Sequence, residues 1–328
     1  MKITEKVVGG ALTPPTLSQT QFSIAEDFKV FSERVRSYSI ELITKSIKRQ
    51  GFDLKMLEKL FQGKMTRSKL VFTIGRSLQI SDQRLLDVAT SIEILHEASL
   101  VHDDIQDKQK YRRGIPTVWY DYSINEAISW GDFLLSLSFE PLLSSEFFNK
   151  NDIRAHNLTI QKMLEGQNFE QKSSERLISR DDYFSIASLK TGALIELPIR
   201  LLLSPLSSEN DYILTSCRCL GIAYQSENDL NDFLEGNDGI DYVNKVSSLP
   251  FLELYHYRLK TNSSYTYDRI FKDKISVAEG KFVSNIVHKI VDENLQSFYQ
   301  VFSKLLNQEC FNLLQKSLNK YFVRQAES

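Results

Sequence analysis

The sequence is poor in glycine and proline, the two residues that most often build tight turns. Only 13 Gly and 7 Pro occur among 328 residues, about half the share found in an average globular protein. An all-β protein needs many turns, and turns draw heavily on these residues. The composition therefore argues against an all-β protein and favours a helical or α/β protein. A chain of this length can bury a sizeable core.

Three further shortages exclude whole classes of protein. Cys217, Cys219 and Cys310 form neither a paired disulfide framework nor a zinc-binding spacing, so we expect a reducing compartment. No stretch approaches the roughly 18 consecutive apolar residues of a membrane-spanning helix, and the N-terminal stretch has no apolar signal segment. With 40 basic and 42 acidic residues the net charge is −2, so no overall field attracts nucleic acid or an anionic membrane. We expect a soluble, cytoplasmic protein with no nucleic-acid partner and no transmembrane segment.

Apolar residues recur at spacings of three and four through most of the chain, which is the helical period. No convincing alternating strand and no repeat at a fixed period is evident. The prediction is an all-α protein, a single large bundle of long helices. Residues 1–21 are expected to form a flexible N-terminal arm and residues 22–328 one domain. The predicted helices cover residues 28–50, 82–107, 124–147, 152–171, 180–203, 210–235 and 277–322.

An acidic cluster ends the second of these helices, in the stretch VHDDIQD at residues 101–107. Asp103 and Asp107 are four residues apart, so on a helix their carboxylates share a face, about 6 Å apart along the axis. Two carboxylates this close repel unless a cation lies between them, and their oxygens suit Mg²⁺. Arg112 and Arg113 follow, and arginines hold phosphate oxygens that a metal does not reach. The pattern predicts a metal-bridged phosphate site; a solvated acidic helix end is the alternative.

A second acidic group lies downstream, in the stretch YQSENDLND at residues 224–232. Asn228 and Asp232 are four residues apart, Asp229 and Asp232 are three apart, and Gln225 lies one turn before Asp229. On a helix all four side chains point broadly to one side. If this helix faces the first one, the two would frame a site for Mg²⁺ and a diphosphate. Acid-rich helix ends are common, so the second group is the weaker signal.

These clusters and three other short motifs occur in an order that resembles the trans-isoprenyl diphosphate synthases, also called polyprenyl synthetases. The resemblance runs from about residue 30 to the end of the chain. Its motifs are GKMTR at 63–67 with His96 further on, ASLVHDDIQDKQKYRRGIPT at 98–117, Lys190-Thr191, the stretch 224–232, and Lys245 before SSLP at 247–250.

The resemblance implies two diphosphate-binding sites that share bound Mg²⁺. The residues it assigns to the metal are Asp103, Asp104, Asp107, Asn228, Asp229 and Asp232. Those it assigns to isopentenyl diphosphate are Lys64, Arg67, His96 and Arg113. Those it assigns to the allylic diphosphate are Arg112, Lys190, Thr191, Gln225 and Lys245. The catalytic residues it implies are Asp103, Asp104, Asp107 and Lys190.

The second motif departs from the family pattern. Asn228 replaces the first aspartate, and an amide offers a metal its carbonyl oxygen but no negative charge. Asn244 replaces the glycine that precedes Lys245 in the family. We therefore expect weaker metal binding on this side, in a half-site that is degraded or specialised.

The resemblance also implies a fold and a reaction. The fold is the all-α isoprenoid synthase bundle around a central cavity, assembled as a homodimer. The reaction is head-to-tail condensation of isopentenyl diphosphate with an allylic diphosphate, through ionisation of the allylic substrate. Ala98 and Ser99 stand where shorter-chain members place an aromatic plug. These small side chains predict a linear product of geranylgeranyl length or longer.

Two alternatives to chain elongation stay open. A class I terpene cyclase, or a prenyltransferase to a non-isopentenyl acceptor, shares the fold, and Asn228 is compatible with either. Gly236, however, stands where the cyclase motif needs glutamate. The chain could instead be a non-catalytic subunit of a heteromeric prenyl synthase. The intact first motif argues against that role, because an unused cluster of carboxylates only adds repulsion.

Overall fold

The computed structural model of the chain describes residues 23–47, 52–174, 176–204, 211–236 and 239–322. Most of these residues lie in helices, which confirms the predicted all-α class. The predicted arm, residues 1–21, lies outside the described residues. Within the described ranges no helix combines the length and the apolar character needed to span a membrane. The helices are α1 (Ile24–Ser46), α2 (Thr66–Ser77), α3 (Asp82–Gln106), α4 (Val118–Asp121), α5 (Ile124–Leu137), α6 (Glu140–Leu143), α7 (Lys150–Lys172), α8 (Arg180–Ala187), α9 (Ala193–Leu202), α10 (Asp211–Leu234), α11 (Ile240–Asn244), α12 (Leu249–Thr261), α13 (Val277–Leu305) and α14 (Gln308–Tyr321).

Polar caps determine where several helices begin. Ser23 and Glu26 form a capping box at the start of α1, in which each side chain accepts a hydrogen bond from the other residue's backbone N–H. Ser276 and Glu279 do the same at the start of α13. These contacts satisfy backbone donors that a helix start leaves without partners. The helices α7 and α8 begin with the same motif.

Three of the predicted helices are interrupted, and the one over residues 180–203 divides at a π-helical turn between α8 and α9. The predicted segment 124–147 stops at Leu137, and Pro141 stands in the first turn of the separate helix α6, a position that suits proline. The predicted segment 277–322 divides at Leu306, whose backbone is extended. The Asn307 side chain then accepts a hydrogen bond from the backbone N–H of Cys310 at 2.9 Å and caps α14. The apolar periodicity runs through these last two breaks, so only Pro141 and the capping residue Asn307 mark them.

A short β-hairpin follows α3, although no strand was predicted. Strand β1 (Tyr111–Arg112) pairs antiparallel with β2 (Ile115–Pro116). The two turn residues, Arg113 and Gly114, have φ values of 54° and 77°, which suits a two-residue hairpin turn. Strands of two residues are too short for an alternating pattern to show. The hairpin presents both arginines beside the end of α3.

The helix α3 is the central element of the bundle. It packs against α1, α2, α5, α6 and α9. Its adjacent residues Ile94 and Leu95 are at most 1% exposed and belong to two different apolar clusters, the smaller of which includes Trp130 of α5. A helix that is apolar on all sides is held in a core. The acidic end of α3 therefore belongs to a helix whose middle is buried between two apolar clusters.

Three glycines allow close contact between α7, α10 and a π-helical turn (Ser188–Gly192) that separates α8 from α9. A Cβ on Gly166 of α7 would lie 2.8 Å from the backbone nitrogen of Lys190. A Cβ on Gly221 of α10 would lie 2.4 Å from the Cα of Gly192. Close-packed interiors leave no room for such contacts. Isolated π turns within helices are frequent at functional sites, and this one places Lys190 between α7 and α10.

Replacing Gly221 with alanine tests this packing. We expect Gly221→Ala to lower the free energy of unfolding by about 2 kcal/mol, because the new methyl group overlaps backbone that cannot move independently. Gly280→Ala is the matched control, since Gly280 lies in α13 and a Cβ added there would have no atom within 4 Å. The control should be neutral or stabilising by up to about 1 kcal/mol. Urea denaturation of both variants measures the difference, and equal effects would contradict the packing argument.

Candidate active site

A cavity of about 580 Å³ lies between α2, α3, α7, α10 and α14. Its wall is partly charged and partly apolar, which suits a ligand with an ionic head and a hydrocarbon body. The ionisable lining residues include Lys64, Arg67, Glu93, His96, Glu97, His102, Asp103, Asp107, Arg112, Arg113 and Lys190. The apolar lining residues include Leu70, Leu95, Leu135, Ile160, Met163, Leu164, Leu194, Ile195, Leu220, Leu314 and Leu318.

Asp103 and Asp107 both line the cavity from the last turns of α3. Burial raises the pKa of both carboxyl groups, that of Asp107 to about 7, although the nearby Lys190 acts in the opposite direction. Burial raises the pKa of an acid because it disfavours the charged form. The pair is therefore a site that would gain from a bound cation.

Asp104, the third acidic residue predicted to bind metal in this motif, is placed differently. It is 5% exposed and is absent from the cavity lining. Its Oδ1 accepts a hydrogen bond from Nε of Arg112 at 2.8 Å, and Nη2 of the same guanidinium lies 2.7 Å away. Successive helical residues are rotated by about 100°, so Asp104 leaves the face that Asp103 and Asp107 share. The structure thus pairs Asp104 with Arg112, which does line the cavity.

Lys190 brings a positive charge to the acidic side of the cavity. Its Nζ donates a hydrogen bond to Oε2 of Glu170 on α7 at 2.5 Å. Burial alone would lower the pKa of Lys190, but the carboxylates of Glu170, Asp103 and Asp107 outweigh burial and raise it. Lys190 is therefore an ammonium ion that neutralises part of this carboxylate cluster.

A chain of hydrogen bonds links the π turn to α10. Oγ1 of Thr191 donates to Oε1 of Gln225 at 2.8 Å, and Nε2 of Gln225 donates to Oδ1 of Asp229 at 2.8 Å. The hydroxyl of Tyr183 donates to Oδ2 of Asp229 at 2.7 Å. Burial raises the pKa of Asp229 to about 7. Thr191 and Gln225 line the cavity, whereas Asp229 is not among the lining residues.

Two predicted site residues, Asp232 and Lys245, are also absent from the cavity lining. The carboxylate oxygens of Asp232 accept hydrogen bonds from the backbone N–H groups of Ile240 and Asp241 at 2.6 and 2.8 Å. Lys245 is an exposed residue that ends α11 with a φ of 55°. In the part of the chain that the structure describes, no three Asp, Glu, His or Cys side chains converge to hold a metal by themselves.

Asn228 lines the cavity from α10 and contacts the last described helix. Its Oδ1 accepts a hydrogen bond from the hydroxyl of Tyr321, the final residue of α14. The ring of Tyr321 packs on that of Tyr224, with centroids 4.3 Å apart. The amide oxygen through which Asn228 was predicted to bind metal thus already has a protein partner.

The four residues predicted to bind isopentenyl diphosphate all line the cavity. They are contributed by three elements, the start of α2, the body of α3 and the hairpin turn. A Cβ on Gly63 would lie only 3.1 Å from Nη1 of Arg113, so the loop before α2 and the hairpin meet closely. Burial and the neighbouring arginines lower the pKa of His96 well below its ordinary value, so its ring is neutral. The structure brings together Lys64, Arg67, His96 and Arg113.

The two residues predicted to set chain length differ in their surroundings. Ser99 lines the cavity. Ala98 is fully buried in the apolar cluster that includes Trp130 and is not part of the lining. Because neighbouring helical residues point in different directions, Ser99 is the one of the two that faces the cavity.

Residues at or beside the cavity that were not predicted from the sequence include Glu97, Tyr321 and Glu170. Glu97 and Tyr321 line the cavity, and Glu170 contacts Lys190. Glu170 could have been found from Gly166-Gln167-x-x-Glu170, where residues three apart share one face of a predicted helix. Glu97 lies one residue after His96, within the predicted helix over residues 82–107, and no spacing distinguishes it. No local pattern marks Tyr321, because its role depends on a contact between residues far apart in the chain.

Comparison with known proteins identifies relatives. Residues 54–256, well over half of the chain, match the family model described as polyprenyl synthetase. The geranylgeranyl pyrophosphate synthase ltmG of Epichloe festucae (strain Fl1) is 30% identical over 226 residues, which cover 68% of this chain and 58% of that protein. The chain spans 47% to 60% of the length of the first curated relatives that it matches.

Solved structures share the fold over nearly the whole chain. A decaprenyl diphosphate synthase from Rhodobacter capsulatus aligns with a TM-score of 0.76 at 18% identity, covering 93% of this chain and 99% of that chain. A polyprenyl synthase from Caulobacter crescentus CB15, solved in complex with calcium and isoprenyl diphosphate, aligns with a TM-score of 0.73 at 18% identity, covering 94% and 100%. At these identities the likeness concerns the fold alone.

Replacing Glu97 tests the electrostatics of the cavity wall. Burial, followed by repulsion from Glu93, raises the pKa of Glu97 from 4.5 to about 7. The folded state therefore binds the carboxyl proton of Glu97 more tightly than the unfolded state does. The free energy of unfolding falls as the pH rises from about 4.5 through 7. We expect Glu97→Gln to be more stable than the parent by about 2 kcal/mol at pH 8 and nearly equal to it at pH 5.

Urea denaturation at both pH values measures this difference. Glu293→Gln is the control, because the Glu293 side chain on α13 is 63% exposed. The control should follow the parent at both pH values. If the free energies of unfolding of Glu97→Gln and the parent changed equally with pH, the claim that the ionised Glu97 destabilises the folded state would be contradicted.

Proposed function

This chain belongs to the polyprenyl synthetase family, and on that basis we propose that it condenses isopentenyl diphosphate head to tail with an allylic diphosphate. The product is a linear prenyl diphosphate. One observation carries the proposal: a single cavity is lined by Asp103 and Asp107 with Lys190, and also by the further cations Lys64, Arg67 and Arg113. Two anionic substrates need two such groups, whereas a cyclase needs only one. The remainder of the lining is apolar, as a prenyl chain requires.

The proposed cofactor is Mg²⁺, and the donor set fits it. Asp103 and Asp107 offer hard carboxylate oxygens on the cavity wall, and Mg²⁺ commonly takes one or two protein carboxylates with waters and substrate phosphates as its other ligands. The absence of a three-residue cluster in the described ranges agrees with that mode of binding. Asp229 accepts a hydrogen bond from Gln225, which lines the cavity from α10. When bound, Mg²⁺ neutralises charge on the departing diphosphate.

The allylic diphosphate would lie against Arg112, Lys190, Thr191 and Gln225. Arg112 is held by Asp104, and Lys190 is held by Glu170, so both cations are fixed before substrate arrives. Preorganised cations stabilise charge that accumulates as the allylic C–O bond breaks, and they do so without reorganising. Lys245 would contribute only if its segment moved toward the cavity.

Isopentenyl diphosphate would bind at Lys64, Arg67, Arg113 and His96. Its double bond attacks the allylic carbon that lost the diphosphate, a new C–C bond forms, and a proton leaves the adjacent carbon to restore a double bond. The released diphosphate accepts that proton, so no side-chain nucleophile is needed. The neutral ring of His96 serves as a hydrogen-bonding group rather than as a third cation beside the arginines.

The apolar lining would hold the growing chain and keep water from the carbocation. Ser99 is small and faces the cavity, which supports a product of geranylgeranyl length or longer. Residues 22–328 would act as one catalytic domain.

We also propose a cytoplasmic homodimer. The described cysteines are free thiols, as expected in a reducing compartment. Ile124 and Ile128 on α5 are 51% and 44% exposed, and Leu158 on α7 is 43% exposed. Large apolar side chains exposed on these two helices suit an interface with a second copy. Light scattering on the purified protein would show a monomer if this assignment is incorrect.

The function is tested by incubating purified protein with isopentenyl diphosphate, Mg²⁺ and, separately, dimethylallyl, geranyl or farnesyl diphosphate. We expect a ladder of linear prenyl diphosphates, resolved by mass. Asp103→Asn should lower the rate about a hundredfold, because it removes a charge from the cation-binding wall, while Glu293→Gln should have no effect. Diphosphate release that does not require isopentenyl diphosphate would indicate a cyclase or transfer to another acceptor. No turnover with any substrate would favour a non-catalytic subunit.

A bulky side chain at position 99 tests the proposed path of the product. Ser99→Phe should shorten the longest product by at least one isoprene unit, because the ring occupies space that the hydrocarbon chain needs. Ser99→Ala is the control and should leave the product length unchanged. Mass analysis of the extracted products measures both. An unaltered product distribution in Ser99→Phe would place the hydrocarbon path elsewhere.

A further inference from the structure

The side-chain amide of Asn228 has two polar atoms, and only one of them has a hydrogen-bond partner in the described part of the chain. Its Oδ1 accepts the hydrogen bond from the Tyr321 hydroxyl. Its Nδ2 donates no hydrogen bond to any residue in the described part of the chain, although the side chain lines the cavity. Both N–H donors of this amide are therefore available to a ligand, whereas its oxygen has one of two lone pairs already used.

Gln225, one turn earlier on the same wall, provides a contrast. Its Oε1 accepts from Thr191 and its Nε2 donates to Asp229, each at 2.8 Å. Both ends of that amide are used within the protein. Gln225 thus connects two protein groups, whereas Asn228 is anchored at its oxygen alone.

Tyr321 is held in a position from which it can orient this amide. Its ring packs on Tyr224, with centroids 4.3 Å apart, and Phe322 packs on the same ring at 5.1 Å. Its helix α14 is tied to α2 by a hydrogen bond from Nζ of Lys69 to Oγ of Ser317 at 2.9 Å. A hydroxyl held in this position and donating its proton determines that the oxygen of the Asn228 amide, and not the nitrogen, faces it.

We propose that Tyr321 orients Asn228 as a hydrogen-bond donor to a diphosphate, so that position 228 binds the anion directly instead of a metal ion. The inference rests on the proposed function, which places diphosphates in this cavity. An amide nitrogen has no lone pair available for a cation, and its N–H groups suit a phosphate oxygen. An aspartate at this position would attract a metal cation. The asparagine, through its N–H donors, instead favours a ligand with negative charge.

The position is also consistent with the charges around it. Asp229 follows directly in the chain, and Asp103 and Asp107 line the same cavity. A further carboxylate would add to a wall on which burial already raises the pKa of Asp107 and Asp229 to about 7. A neutral donor adds an anion-binding group without adding to that repulsion.

Binding measurements on the full chain separate anion binding from metal binding. Isothermal titration calorimetry with inorganic pyrophosphate in EDTA reports the first, and titration with Mn²⁺ in the absence of pyrophosphate reports the second. We expect Asn228→Ala to weaken pyrophosphate binding about tenfold, the loss of one hydrogen bond to a charged group, and to leave the Kd for Mn²⁺ unchanged. Tyr321→Phe should weaken pyrophosphate binding about threefold, since the amide loses its orientation but not its donors.

Tyr299→Phe is the matched control. The Tyr299 hydroxyl donates to Oδ1 of Asn319 at 3.1 Å, a second tyrosine–asparagine contact made to α14, and neither residue lines the cavity. This variant should bind pyrophosphate like the parent. Asn228 is exposed and Tyr321→Phe removes one oxygen atom, so both test variants should fold, which circular dichroism checks. The relative changes in KM for the two substrates show which diphosphate Asn228 contacts.

Weaker Mn²⁺ binding by Asn228→Ala would overturn the inference, because it would make the amide oxygen a metal ligand. Unchanged pyrophosphate binding by that variant would overturn it as well. Failure of the proposed function is a separate result, seen as absence of elongation by the parent protein. An active parent with an unaffected Asn228→Ala variant would reject the inference alone.

Discussion

The acidic side of the cavity depends on one ammonium group, that of Lys190. Glu170 from α7 and Asp103 and Asp107 from α3 surround it. At the effective dielectric constant of a protein site, two like charges 4 Å apart repel by about 4 kcal/mol, so the carboxylates need a positive charge among them. The small glycines of α7, α10 and the π turn supply the space that brings Lys190 into place. Close packing of backbone against backbone at these glycines therefore determines where the positive charge of Lys190 lies in the site.

The same requirement divides the cations of the cavity into two kinds. Arg112 and Lys190 are each held by a carboxylate of their own, Asp104 and Glu170. In the described part of the chain no carboxylate forms an ion pair with Lys64 or with Arg113. Paired cations are rigid and partly neutralised, which suits fine positioning, whereas unpaired cations present their full charge to an incoming anion. This division supports the proposed function, in which two diphosphates have different tasks in one cavity.

Local sequence signals were sufficient for most of the fold, and most of the site residues named from the sequence line the cavity. Helix starts follow from caps such as Ser276, and the shared face of Asp103 and Asp107 follows from helical geometry. The division between α13 and α14 was missed because the apolar period continues through it. Only the helix cap at Asn307 marks the break. Glu170 and Tyr321 were missed for a different reason, since each acts through a contact with a residue far away in the chain. Such contacts depend on packing, which periodicity does not report.

Helical rotation explains why adjacent residues of one motif have unequal roles. Asp103 faces the cavity, while Asp104, rotated by about 100°, faces the hairpin and holds Arg112. Ser99 faces the cavity, while Ala98 packs in the apolar cluster around Trp130. A central helix that is buried on all sides must distribute neighbouring residues in this way, because each side of it meets a different partner. The consecutive aspartates therefore form a pair in which Asp103 faces the cavity and Asp104 positions Arg112, which lines it.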